Sequence, residues 1–177
     1  MMKREQVFEV IKKERKYQDK TWPRDEHPLV KQYAYAAPHI YLLEEYAAKT
    51  RRMWAKSFNE IDVLQNLSKM ATIACRALQE IVPTHELNYS DVFIVVAIND
   101  ERARQDAKHP RTKDNAGQYR FSAPHALLVE KYIGYAREDW TKGSRDGVMI
   151  DLIKIAAILV RALEEIEGSD LLEIGLR

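Results

Sequence analysis

The sequence predicts an all-α fold, an internally duplicated helical bundle in which two three-helix modules pack about a pseudo-twofold. Three observations predict it. Apolar residues recur at helical spacing along the chain, and no period-2 alternation competes with them. The chain also matches itself in order: "ERKYQD" (14–19) returns as "ERARQD" (101–106) 87 residues on, "APHIYLLEEY" (37–46) as "APHALLVEKY" (123–132) 86 on, and "LSKMATIACRALQEI" (67–81) as "LIKIAAILVRALEEI" (152–166) 85 on. That period is too long for a solenoid unit and suits two copies of one small helical module. Finally, "WPR" and "HPR" stand at matching places, as do Pro38 and Pro124, so both copies are punctuated alike.

The first helix of each module spans roughly 5–20 and 91–107, ending before Pro23 or Pro110, since proline disfavours helix at the residue before it. Ser90 or Asp91 is placed to cap the second copy's start. Turn-forming stretches follow, "TWPRDEHPLVKQY" and "HPRTKDNAGQYRFS". The second helix opens near Pro38 or Pro124, where proline's missing N–H costs little, and runs to about Lys56 or Lys142. In the third, Val63, Leu67, Met70, Ala74, Leu78 and Ile81 form one seam. Its counterpart is apolar almost all round, which predicts the more deeply buried helix. "VFIVVAI" (92–98) is β-branched but falls inside a helical segment. The chain thus divides into a first repeat (1–82), a linker (83–90) containing Pro83, a second repeat (91–168) and a tail (169–177) after Gly168. Neither repeat is large enough for a core of its own, so the two are expected to share one.

Composition narrows the function classes. Lys+Arg 28 against Asp+Glu 27 gives no basic excess for a nucleic-acid polymer. The run Lys12, Lys13, Arg15, Lys16 reads as a solvated helix face. The single cysteine, Cys75, excludes an internal disulfide and reads as a small buried hydrophobe. No apolar run approaches the ~18 residues of a membrane span, and no leader pattern precedes the first charged helix, so a cytoplasmic location is expected. Six glycines form no phosphate-cradling loop.

Two groups of residues carry the functional expectation. The repeated Glu-Arg-x-x-Gln-Asp sets Arg15 beside Asp19 and Arg102 beside Asp106. Arg-then-Asp is the weaker order for a helical ion pair, and an acid in a last turn opposes the helix dipole. A site-shaping role therefore competes with a surface pair, and Gln18 and Gln105 are placed to offer an amide to a base edge or phosphate. The second group is acidic: Glu44 and Glu45 in copy one, Glu130 in copy two, and Asp151 on the last helix where copy one has Asn66. Carboxylates facing one another on adjoining helices suit Mg²⁺ shared with phosphates, although a chain with 27 acids offers chance pairs as well. Trp22 is the stacking candidate. Trp54 and Trp140 read as core or interface, and His39 and His125 as helix-terminus residues.

"ERKYQDKTW", then "LLEEYAAK", then "NLSKMATIACRALQE" resembles the MazG-like, all-α nucleotide pyrophosphohydrolases, over most of both copies. The resemblance implies an often oligomeric helical fold that binds a small-molecule nucleotide. It also implies Mg²⁺ (or Mn²⁺) held by helix-borne acids, and cleavage of nucleoside triphosphates to monophosphate and pyrophosphate. Glu44, Glu45 and Asp151 would be catalytic, with Glu130 joining them as metal ligands. Arg15, Gln18, Asp19, Trp22, Arg102, Gln105, Asp106 and Lys131 would meet the substrate. The chain departs from the family pattern at Ala48 and Gly134, where a second acid of the middle helix is expected. It departs also at Lys131, aligned with Glu45, and at Asn66. A composite site across the pseudo-twofold and one decayed site in each copy both fit that pattern. A non-catalytic nucleotide binder on the same fold, and a helical bundle that binds a protein partner, are the other two readings.

Overall fold

The computed structural model describes residues 2–21, 23, 34–56, 60–81, 91–112 and 116–166. Those residues form six α-helices, a short 3-10 helix at Ala116–Arg120, and no strand. The helices fall into two runs of matched length. α1 (Arg4–Thr21) and α4 (Asp91–Lys108) have 18 residues each. α2 (Ala36–Lys56) has 21 and α5 (Ser122–Thr141) has 20. α3 (Glu60–Glu80) and α6 (Arg145–Glu165) have 21 each. The expected caps at Ser90 and Gly168, the linker, the tail and Trp22 lie outside the described residues.

The helices stack in layers with α3 and α6 side by side in the middle. On one side α2 covers α3, α5 covers α6, and α2 and α5 pack on each other. On the other, α1 lies on α3 and α4 on α6. Burial follows the sequence seam: Leu67, Met70, Ala74, Leu78 and Ile81 of α3 are sealed from solvent, as are Leu152, Ile155, Leu159, Leu163 and Ile166 at the matching places around α6. Each large side chain so buried contributes roughly 1.5–3 kcal/mol. Residues of all six helices join one contiguous core.

α6 is not the more deeply buried of the central pair. α3 is covered equally, because its polar residues are buried as well: Asn66, Ser68, Thr72 and Arg76. Most of them find partners within α3 or on its neighbours: the Thr72 hydroxyl donates to the Ser68 carbonyl at 3.0 Å, Asn66 to Met53 of α2, and Arg76 to Asp19 of α1. Polarity on the sequence thus did not mean exposure. Trp54 and Trp140 are not core residues, being 42% and 48% exposed near the ends of their helices. Cys75 is only half-buried, on the flank of α3 facing α1 and α4.

Helix termini differ between the runs. α5 begins after Phe121, whose side chain gives no cap. Glu60, the first residue of α3, reaches across instead: its carboxylate accepts from the Ser122 backbone N–H at 2.9 Å and the Ser122 hydroxyl at 3.2 Å. α6 follows a left-handed glycine, Gly143 (φ 73°), and is capped by Ser144, which accepts from the Gly147 N–H.

Candidate functional site

The repeated motif joins the outer helices to the central pair. Within α1, Gln18 donates to Glu14 at 2.9 Å; within α4, Gln105 donates to Glu101 at 2.9 Å. Arg15 pairs with Asp19 at 3.2 Å and Arg102 with Asp106 at 2.8 Å. Each aspartate is shared with an arginine of the central layer, Asp19 with Arg76 at 3.0 Å and Asp106 with Arg161 at 2.9 Å. Those arginines hold Glu80 and Glu165 at 2.6 and 2.7 Å. The glutamates in turn face His39 and His125, at 3.5 and 3.6 Å. Asp19 and Asp106 therefore sit where an inter-helix partner awaits them, which explains an order the isolated helix disfavours.

Electrostatics follow from this wiring. Burial raises the Glu14 carboxyl above its ordinary value, against a hydrogen bond from Gln18. Burial pushes Glu101 the same way, but hydrogen bonds from Arg104 and Gln105 outweigh it and leave that group lowered. Glu165 is likewise lowered, Arg111 and Arg161 overcoming its burial. His125, fully enclosed, is pushed down to about 4 by burial. Its Nε2 donates to the Tyr119 carbonyl at 3.0 Å, the tautomer that bond requires.

The two halves differ where the outer arginine points next. Arg102 also binds Glu164 at 2.9 Å, and Glu164 takes a second guanidinium, Arg4, at 2.6 Å. At the matching place Arg15 meets a neutral partner, Gln79. There a cavity of about 380 Å³ opens between α1, α3 and α4. Lys12, Arg15 and Lys16 line it on the exposed side, and Phe8, Ile11 and Ile94 supply an apolar wall. Asp19, the partner of Arg15, stands within the same lining, and Lys12 pairs with Glu9.

The carboxylates expected to hold Mg²⁺ are each engaged by the chain's own cations. Glu44 of α2 is bound by Arg137 of α5, with the Nε contact at 2.6 Å. Reciprocally, Glu130 of α5 is bound by Arg51 of α2 at 2.6 and 3.1 Å. Glu45, 71% exposed at its side chain, lies 3.5 Å from Arg52. Asp151 is buried and takes the Lys154 ammonium at 2.9 Å, while that ammonium also lies over the Tyr132 ring. Asn66, at the position matching Asp151, donates to the Met53 sulfur. Lys131 is exposed, beside the Tyr135 ring. Among the described residues no group of three or more His, Cys, Asp or Glu side chains is arranged to hold a metal ion. A donor set already neutralised by four basic side chains does not suit a divalent cation.

Of the expected site residues, then, Arg15 and Asp19 share a cavity wall, while Gln18, Gln105, Arg102 and Asp106 bond to helix neighbours. Sequence reasoning passed over Arg76 and Glu80 with their counterparts Arg161 and Glu165, and it read His39 and His125 only as helix-terminus residues, which they are, in the first turns of α2 and α5. Their signal was the shared Arg-Ala-Leu-x-Glu-Ile inside the matched third helices and the shared "APH" opening the second. No protein-family model matches the chain, and no curated protein or solved structure does.

Proposed function

We propose that this chain is a nucleotide-binding protein of MazG-like type, an internal duplication with a pseudo-twofold between α2 and α5, that holds a nucleotide without cleaving it. The observation carrying the reading is the cavity of about 380 Å³ that combines Lys12, Arg15 and Lys16 with an apolar wall. A base needs apolar surface and a phosphate needs several cations, and this cavity supplies both. The neutral Gln79 leaves Arg15 with charge to spare where Glu164 consumes that of Arg102. Support for the pseudo-twofold comes from the reciprocal pairs Glu44–Arg137 and Arg51–Glu130, in which each helix lends the other the same two residues.

Binding without turnover is favoured over pyrophosphohydrolysis because the acids that would hold Mg²⁺ each carry a cationic partner. The test is to incubate the protein with a mixed nucleotide pool and Mg²⁺, then chromatograph both the solution and the ligand released on denaturation. An intact nucleotide recovered from the protein, and lost in Arg15→Ala, is the expected result. Monophosphate and pyrophosphate accumulating, and vanishing in Glu45→Ala or Asp151→Ala, would replace this reading with the hydrolytic one. No ligand, and no ligand-dependent rise in Tm, would leave the bundle as a protein-binding scaffold.

A further inference from the structure

A second cavity, of about 480 Å³, lies where the α5–α6 turn meets the start of α2. Tyr35 and Trp140, 68% and 48% exposed, stand in its lining together with Arg145 and Ser144. Tyr35 also borders a neighbouring recess of about 370 Å³ lined by Tyr41, itself 71% exposed. Three large aromatic side chains thus stand in water around two adjoining concavities.

The two halves differ at this place. At the matching place in the other half, Glu60 straps Ser122 with two hydrogen bonds. Here Arg145 stands at the position of Glu60, and Ala36 at that of Ser122. Alanine has no hydroxyl to offer, and a guanidinium cannot accept from a backbone N–H. Both ends of the strap are therefore absent here, and the charge at its carboxylate end is reversed. Arg145 makes no ion pair or hydrogen bond among the described residues.

We propose that the Arg145 cavity is a binding site for an aromatic anion, a planar ring carrying a phosphate or carboxylate. The ring stacks on Trp140 and Tyr35, and the anionic group takes the two-pronged donor set of Arg145. The volume suits a ligand of one or two rings. This site is separate from the cavity beside Arg15, and it stands or falls independently of the nucleotide reading.

Calorimetric titration of the full chain tests it. The probes are phenyl phosphate, phenylacetate and adenosine monophosphate, with inorganic phosphate and phenol as half-ligands. Saturable 1:1 binding of phenyl phosphate or phenylacetate is expected, at least tenfold tighter than either half-ligand. It should weaken at least tenfold in Arg145→Glu and in Trp140→Ala. The double variant Ala36→Ser/Arg145→Glu rebuilds the strap, so it is expected to match or exceed the parent's Tm while losing the probes. Adenosine monophosphate binding that fails in Arg145→Glu but survives Arg15→Ala would identify the natural anion as a nucleotide. Binding of the simple aromatic acids alone at this site would identify it as a small aromatic acid. Probe binding unchanged in Arg145→Glu, or no binding of any aromatic anion by the parent chain, would overturn the proposal.

Discussion

Arg161 is 7% exposed and bridges Asp106 and Glu165, so its charge is worth most where it is (and so is Arg76, between Asp19 and Glu80). Removing Arg161 leaves Asp106 to Arg102 and Glu165 to Arg111, so what is lost is a set of charge-assisted hydrogen bonds rather than the only cover of a buried charge. Arg161→Ala is therefore expected to cost about 1.5–3 kcal/mol in urea denaturation, and Arg161→Lys to recover only part of it. Glu14 behaves oppositely. Its carboxyl is raised by burial, so folding favours the protonated form and the gain is lost as pH rises through the acid range. Glu14→Gln is expected to raise Tm at pH 7, and a fall in Tm would count against a desolvated carboxylate there. His125 has its folded value depressed to about 4 against an ordinary 6.5. The unfolded chain then binds the proton more readily, so stability is full above about pH 6.5 and declines toward pH 4. His125→Gln should flatten that decline in denaturation curves taken across the same range. These residues were in plain view in the sequence, inside the self-matching segments. Their pairing was not legible, because an Arg or His in a helix announces nothing until its partner on another helix is known.

At the level of elements, α2 and α5 exchange Glu44–Arg137 and Arg51–Glu130 across their contact. All four side chains reach solvent, so each pair is expected to couple by only about 0.2–1 kcal/mol in a double-mutant cycle. Inverting one pair, Glu44→Arg with Arg137→Glu, should restore most of what either single change loses. Helix boundaries were largely legible, since prolines and the repeated spacing set them to within a few residues. The pairing of the carboxylates was not legible. Glu44 and Glu130 looked open because sequence spacing shows only neighbours on the same helix, whereas their arginines arrive from 93 and 79 residues away. The strap from Glu60 to Ser122 was hidden for the same reason, and with it the contrast that exposes Arg145.

The whole molecule depends on α3 and α6. Leu67 and Leu152 are both completely buried at matching places in the central layer. Either one changed to alanine is expected to lose about 2–5 kcal/mol. With one core shared by all six helices, both variants should unfold in a single step, with tryptophan fluorescence and circular dichroism tracing the same curve. Separate transitions would mean that the halves hold their own cores. The all-α class and the placement of the seams were readable because periodicity and repetition are properties of the chain itself. How the halves divide labour was not, because Gln79 against Glu164 and Arg145 against Glu60 matter only through what they touch.

The position of α6 at the heart of the bundle has a consequence for synthesis. The side of α3 that meets α6 leaves the ribosome long before its cover, unlike the sides that meet α1 and α2, and about 85 further residues must be translated first. At ordinary elongation speed that is an interval of roughly 4–17 seconds. Throughout it, an apolar ridge stands in water on a half-made protein. A chain truncated before α6 is thus expected to aggregate or to bind a hydrophobic dye that the full chain excludes.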